Sequence, residues 1–274
     1  MTVMRKLTHC RWLLLGLLGL LPLTTLAQVQ TTDPNSAALP ETDTWGSTPY
    51  ALQITPYAWI TGLSGESSPF KRAPSLDIEK SFSDVLHNLR AAAFLNTWAR
   101  RDRYVLNSDL LYVNTRENEV VGGLPLVGAA QGTVDTRLFM ATLQGGYRVY
   151  DSEQASLDAL AGFSYWDIRT RAHLSTAGRT KHHEENFHWV DPMIGLRAFY
   201  RFTPELSSHA QIHLGGFDVG SRLSYQATLT LNYDLSEHFS LAAGYKVLDV
   251  KYRRAGHVFD TRMSGPVLGL SWRY

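Results

Sequence analysis

The stretch Ser224 to Tyr233 alternates strictly: Tyr225, Ala227, Leu229, Leu231 and Tyr233 share one face, and Ser224, Gln226, Thr228, Thr230 and Asn232 share the other. A repeat of two marks a β-strand, because successive side chains leave a strand on opposite sides. Tyrosines bracket the apolar face eight positions apart, and Tyr104 and Tyr112 repeat the spacing. At ~3.3 Å per residue and ~40° tilt those positions cover ~20 Å of depth, which suits hydrocarbon between two aromatic girdles. Carried along the chain, the template predicts strands near residues 50–61, 89–100, 103–114, 134–149, 155–168, 188–202, 205–217, 222–234, 239–250 and 258–274. The expected fold is all-β: a transmembrane antiparallel up-and-down β-barrel of about ten strands, with about eight or twelve as alternatives, apolar faces toward lipid and polar faces toward the lumen.

The connections sort by parity. Arg101–Asp102, Tyr150–Gln154, Thr203–Pro204 and Asp234–His238 are short, whereas Gly62–Asn88, Thr115–Thr133 and Arg169–Phe187 are long. Bacterial barrels keep short turns in the periplasm and long loops outside, and a soluble sandwich has no cause to sort its loops in this way. Pro56, Pro192 and Pro266 fall inside expected strands. Each removes a ladder hydrogen bond, so bulges or frayed pairing are expected there, in the outer half of the wall. In the first long connection Phe82, Val85, Leu86 and Leu89 recur at helical spacing behind Ser81 or Ser83. That predicts a short capped helix, either folded into the barrel mouth or laid against its rim.

Composition changes the picture at one end. The chain opens Met1-Thr2-Val3-Met4-Arg5-Lys6, runs apolar from Trp12 to Leu23 and reaches Thr25-Leu26-Ala27. A basic start, an apolar middle and a small-residue close describe a secretory signal peptide, residues 1–27, cut before Gln28. A spanning helix needs about 20 apolar residues, which this run does not reach. No later segment approaches that length, although 44% of the chain is hydrophobic. Cys10, the single cysteine, leaves with the peptide, so disulfide and thiolate chemistry are not expected. Residues 28–48, rich in Thr, Pro and Ser, read as a flexible periplasmic leader, and residues 49–274 as one barrel domain. Loss of Arg5, Lys6 and Arg11 leaves 23 basic residues against 25 acidic ones. That balance gives no basic footprint for nucleic acid.

The chain stops at Gly269-Leu270-Ser271-Trp272-Arg273-Tyr274, with Leu268, Leu270, Trp272 and Tyr274 on one face. Gly269, Trp272 and Tyr274 resemble the terminal Gly-x-x-aromatic-x-aromatic assembly signal of outer-membrane barrels, with Val267 standing where a polar residue is usual. Further stretches resemble a family of uncharacterised proteobacterial outer-membrane β-barrel proteins: Thr55-Pro56-Tyr57-Ala58-Trp59, Phe82-Ser83-Asp84-Val85-Leu86, Trp189-Val190-Asp191-Pro192, Gly215-Gly216-Phe217-Asp218-Val219-Gly220-Ser221 and Gly265-Pro266-Val267-Leu268-Gly269. The resemblance runs from about residue 50 to the end, and implies a location and a fold without implying an activity.

Strand parity points Asp109, Asp158, Asp191, Arg197, Arg201, His209, His213, Lys246 and Arg273 into the lumen. Charges of both signs in so narrow a space fit a structural network, and they also fit a path for small polar solutes. His209, Gln211 and His213 share a face, but residues four apart on a strand lie ~13 Å apart and cannot share a metal. The segment Lys181-His182-His183-Glu184-Glu185-Asn186-Phe187-His188 offers imidazole and carboxylate groups, which suits a solvated loop better than a metal site. The chain contains no Asp-x-His or Asp-x-Asp, and no nucleophile, base and orienting group can be named together. The leading expectation is no enzyme, with a lumenal or loop hydrolase as a minor alternative, and no metal and no cofactor. It is an outer-membrane barrel acting as a narrow or gated channel or as a structural part of the envelope. An adhesin or receptor built on the external loops is a second reading, and sideways transport of apolar molecules through the wall a third. Expected partners are outer-membrane lipids and lipopolysaccharide, and the barrel assembly machinery through the last strand.

Overall fold

The computed structural model describes residues 49–68, 75–124, 128–176 and 179–274. The expected signal peptide and leader fall outside them. In chain order the elements are β1 (Tyr50–Trp59), β2 (Gly62–Ser68), β3 (Leu76–Lys80), α1 (Phe82–Asn88), β4 (Leu89–Arg101), β5 (Tyr104–Leu124), β6 (Gly128–Asp151), β7 (Ala155–Thr176), β8 (Arg179–Arg201), β9 (Leu206–Gly215), β10 (Leu223–Asp234), β11 (Phe239–Arg254) and β12 (His257–Arg273). β1 and β4 to β12 pair antiparallel with their sequence neighbours, and β12 returns to β1. The result is a closed ten-stranded barrel.

One end carries tight turns and the chain terminus. The other carries long hairpins, and there two of the expected loops prove to be strand. The β5–β6 ladder runs from Tyr104 opposite Tyr147 up to Leu124 opposite Gly128, and the β7–β8 ladder from Ala155 opposite Tyr200 to Thr176 opposite Arg179. Within those two loops, residues 115–124, 128–133, 169–176 and 179–187 therefore extend the wall. Stretches such as Thr115-Arg116-Glu117-Asn118 are polar on both faces and carry no alternation in hydropathy, yet backbone pairing does not require one. A strand that crosses a membrane needs about 9–11 residues, and β5 to β8, at 21 to 24 residues, exceed that by roughly 25–38 Å of height at ~40° tilt. β9 and β10 have 10 and 12 residues, and the rim is low there.

The outward faces are apolar and exposed. Leu229, Leu231, Leu241, Leu268 and Leu270 lie in a belt on β10 to β12, and Leu229 keeps 58% of its surface. Tyr50, Tyr104, Tyr147, Tyr200, Tyr233 and Trp272 ring the belt at the turn end. An apolar band of this extent with aromatic edges is built for hydrocarbon.

The first long connection holds structure of its own. β1 breaks at Ile60–Thr61, and β2 then continues along the same edge, pairing the far half of β12 from Val258 to Ser264 while β1 pairs the near half. Gly265 lies beside the break: a Cβ there would sit 1.8 Å from the Ile60 carbonyl oxygen, so only glycine lets the chains pass. β3 folds back on β2, and Lys80 of β3 pairs with Glu117 of β5 across the remaining gap. α1 follows, capped by Ser81 and Asp84 in a reciprocal box. None of its residues is buried, so it lies on the rim and does not plug the mouth.

The prolines do not make bulges. Register shifts occur at Leu89/Ala91, Val121/Leu124 and Arg148/Tyr150, away from all three. Pro192 and Pro266 keep their register because their carbonyls still accept, from Gly216 N at 3.1 Å and from Ile60 N at 2.9 Å. Only Pro56 interrupts pairing: between β1 and β12 the register passes from Ile54 opposite Trp272 to Tyr57 opposite Gly269 and skips the residues between.

If the belt faces lipid, Leu229→Arg, midway between its tyrosines, destabilises the barrel by about 2–4 kcal/mol in vesicles. Equilibrium unfolding from lipid vesicles measures this, and an effect near zero would place the belt in water.

Candidate functional site

The lumen has two chemistries. Toward the turn end and the middle, inward positions are mainly polar or charged and almost wholly buried, around a small apolar patch of Ala51, Trp98, Val105 and Leu160. Toward the hairpin end they are aromatic and aliphatic, which the expected uniformly polar lumen does not match.

Three charge clusters fill the polar part. In the middle, Asp109 of β5 accepts from Lys246 of β11 at 2.5 Å, from the Tyr57 hydroxyl of β1 at 2.9 Å and from Gln226 of β10 at 3.2 Å. Lys246 also donates to the Tyr57 oxygen at 2.7 Å and lies 5.3 Å from the Trp59 ring centre. On the other side of the barrel, Asp158 of β7 accepts from Arg148 Nε at 2.8 Å and from the Trp98 indole at 3.3 Å, with Arg197 Nη1 at 3.5 Å. The Arg197 guanidinium stacks over Trp98, 4.5 Å from its ring centre. At the turn end Arg273 forks onto Asp234 at 2.8 and 2.6 Å and donates to Ser240 at 2.8 Å. A buried charge is tolerated when paired, and each cluster supplies the pairing.

Not every expected residue joins them. Asp191 sits at the hairpin end, where its carboxylate accepts from Ser221 N at 2.6 Å, Ser221 Oγ at 2.8 Å and the Trp189 indole at 3.0 Å, locking the β9–β10 turn to β8. Arg201 lies half-buried at the turn end, 5.8 Å from the centre of the Phe199 ring, with no ion pair among the described residues. His209 and His213 are buried, but His209 Nε2 and both His213 ring nitrogens lack a hydrogen-bond partner among the described residues. His209 lines a cavity of about 70 Å³ beside Asp109 and Lys246, together with Gln53, Thr55 and Asn232. At roughly 10–15 Å³ per site this space accommodates about five to seven waters.

Above these clusters lies a stack of rings. Trp166 packs on Trp189 with centres 5.3 Å apart and planes 6° from parallel, Trp189 on Tyr252 at 4.1 Å, Tyr252 on Phe187 at 5.7 Å and Phe187 on His257 at 4.4 Å. Leu111, Met140, Leu248 and Val250 complete the plug, and Trp166 retains 0% of its surface. Side chains that line an open pore keep contact with water; these do not.

Strand parity named acids and bases and missed their partners. Tyr57, Arg148 and Gln226 share that parity and were open to the same reasoning, whereas Trp98 sits between the charge cluster of Asp158 and the small turn-end apolar patch, and the ring stack lies in the apolar half.

No protein-family model and no curated protein sequence matches the chain. Among solved structures it is similar to the outer membrane protease OmpT from Escherichia coli, at a TM-score of 0.50 and 10% identity, over 83% of this chain and 98% of that one. The fold is that of outer-membrane β-barrels. The translocator domain of the autotransporter NalP from Neisseria meningitidis scores 0.42 at 10% identity, over 83% of this chain and 89% of its own. Ail, the attachment invasion locus protein of Yersinia pestis, scores 0.33 at 11% identity, over 82% and 98%. These proteins differ in role, so the likeness carries a fold and no activity.

Lys246→Met leaves Asp109 charged, buried and short of its strongest partner, and costs about 3–5 kcal/mol in equilibrium unfolding. Adding Asp109→Asn to that variant recovers at least half of the loss. Additive losses would mean that the pair is not coupled.

Proposed function

We propose that the chain is an integral outer-membrane barrel with a closed lumen, which presents the tall β5–β8 wall outside the cell as a structural and recognition surface. The observation that carries this reading is the ring stack Trp166, Trp189, Tyr252, Phe187 and His257, which fills the lumen where a channel would need an opening. The exposed apolar belt supports the location. Trp272 and Tyr274, exposed on the last strand, support recognition of that strand by the barrel assembly machinery.

A gated channel is the second reading, favoured by one observation, the cavity beside Asp109 and Lys246. It requires the stack to move. Sideways transport of apolar molecules fits less well: the skipped pairing at Pro56 does open the seam, but Gln53, Thr55 and Ser271 stand behind it and bond to one another. An apolar solute entering there would meet a polar wall.

Two measurements test the reading. In planar bilayers the wild-type barrel passes no steady current, whereas Trp166→Ala with Trp189→Ala, verified as folded by its heat-dependent gel mobility, gives openings. Steady conductance of the wild type would refute the closed lumen. Deleting residues 115–133 leaves barrel assembly intact and lowers adhesion of cells that display the protein; unchanged adhesion counts against a recognition role for the wall.

A further inference from the structure

The outward face of β4 to β7 changes chemistry abruptly at the hairpin-end edge of the apolar belt. Tyr112 and Phe139 stand opposite each other there, and Tyr165 packs against Phe139 with ring centres 6.3 Å apart. Two residues further along the strands, about 5 Å higher at ~40° tilt, Arg137 stands directly opposite Arg169. One step above them lie Arg116 and Arg171, and Arg90 sits at the β4 bulge, close enough to act on Asp135.

The carboxylates nearby neutralise this band only in part, three acids against five arginines. Arg116 hydrogen-bonds Asp135 at 2.5 Å and holds its carboxyl below the ordinary range, and Arg171 does the same to Glu184. Arg169 is held by Asp167 at 3.0 Å. Arg137 is exposed and makes no ion pair among the described residues. Like charges directly opposite on paired strands repel, so Arg137 against Arg169 is a standing cost that a shared anion would remove.

We propose that this face binds a phosphorylated glycolipid of the outer leaflet, with Arg137 and Arg169 forking onto one phosphate and Arg90, Arg116 and Arg171 supplying the surrounding positive field. The band's height selects a lipid over a free anion. A phosphate at Arg137 leaves its acyl chains level with Tyr112, Phe139 and Tyr165, and then with exposed Leu143 and Phe163 below. The inference rests on the outer-membrane reading, since it needs the belt to lie in a leaflet that carries such lipids.

The test uses the folded barrel in zwitterionic detergent micelles, with bisphosphorylated lipid A, its dephosphorylated form and inorganic phosphate as probes. Phosphorylated lipid A binds, the dephosphorylated form does not, and inorganic phosphate at equal concentration does not displace the lipid. At about five-fold per arginine, Arg137→Gln with Arg169→Gln weakens binding at least ten-fold. Arg253→Gln on β11, whose partners are Glu66 and Asp260, changes it less than two-fold. Equal binding of the dephosphorylated lipid, unchanged binding by the folded double variant, or ready displacement by inorganic phosphate each overturns the inference. Insertion into vesicles is measured in parallel: failure to insert sinks the outer-membrane reading as well, whereas an inserted barrel indifferent to phosphate sinks this inference alone.

Discussion

Hydrocarbon offers no hydrogen bonds, so every backbone N–H and C=O carried through it must find a partner on the next strand. A sheet meets that demand by closing, and here closure depends on β1 meeting β12. The seam is weakest where Pro56 withholds a donor, and Thr55 and Ser271, 2.7 Å apart, bond side chain to side chain behind the gap. Above it, β1 gives way to β2 without leaving the β12 edge, which Gly265 permits. The stretches 55–59 and 265–269, which stand out in the sequence far apart, are the two sides of this seam. Likewise 189–192 and 215–221 meet where Asp191 holds Ser221, and a Cβ on Gly220 would press within 2.3 Å of the Val190 carbonyl.

Once closed, a ten-stranded wall encloses more space than its own backbone can fill, and the two halves of the lumen answer this differently. The turn-end half uses ion pairs drawn from distant strands. Tyr57, Asp109 and Lys246 come from β1, β5 and β11, so the cluster braces the barrel across its width as well as satisfying its charges. The hairpin-end half uses rings, whose flat faces cover area without polar groups that need partners.

How much of this was legible follows from what each face meets. Strands were readable where one face meets lipid and the other polar atoms, as from Ser224 to Tyr233, and the boundaries at the turn end agree closely. The reading failed in two opposite circumstances. From Thr115 to Glu119 both faces are polar, so alternation vanished and strand was taken for loop. Near Phe187-His188-Trp189-Val190 apolar residues face both ways, so the inward rings passed unnoticed and the lumen was expected to be polar throughout. Parity alone placed Asp109, Asp158 and Lys246 inside; it could not pair them, because partners are set by which strands oppose one another across the barrel. It also gave no warning that His209 and His213 would point inward without joining a network.

The tall wall and the filled lumen depend on each other. Ile168, Ala172 and Phe187 lie on the inward face of the wall and are buried, so the wall rises over the plug and keeps water from it. The plug in turn gives that face something to pack against beyond the membrane, where paired strands alone are marginal. Opening the lumen means breaking the contacts of Trp166 on Trp189, Trp189 on Tyr252, Tyr252 on Phe187 and Phe187 on His257. At ~0.5–1.5 kcal/mol for each such contact beyond its buried area, unstacking costs about 2–6 kcal/mol before any apolar surface is wetted. That holds an open form to a few per cent at most without an outside agent, and such an agent would have to bind the open form more tightly by at least that amount. On the proposed closed-lumen reading the barrel is held shut by its own packing, which leaves the exposed wall, and the basic band at its foot, as the surfaces open to other molecules.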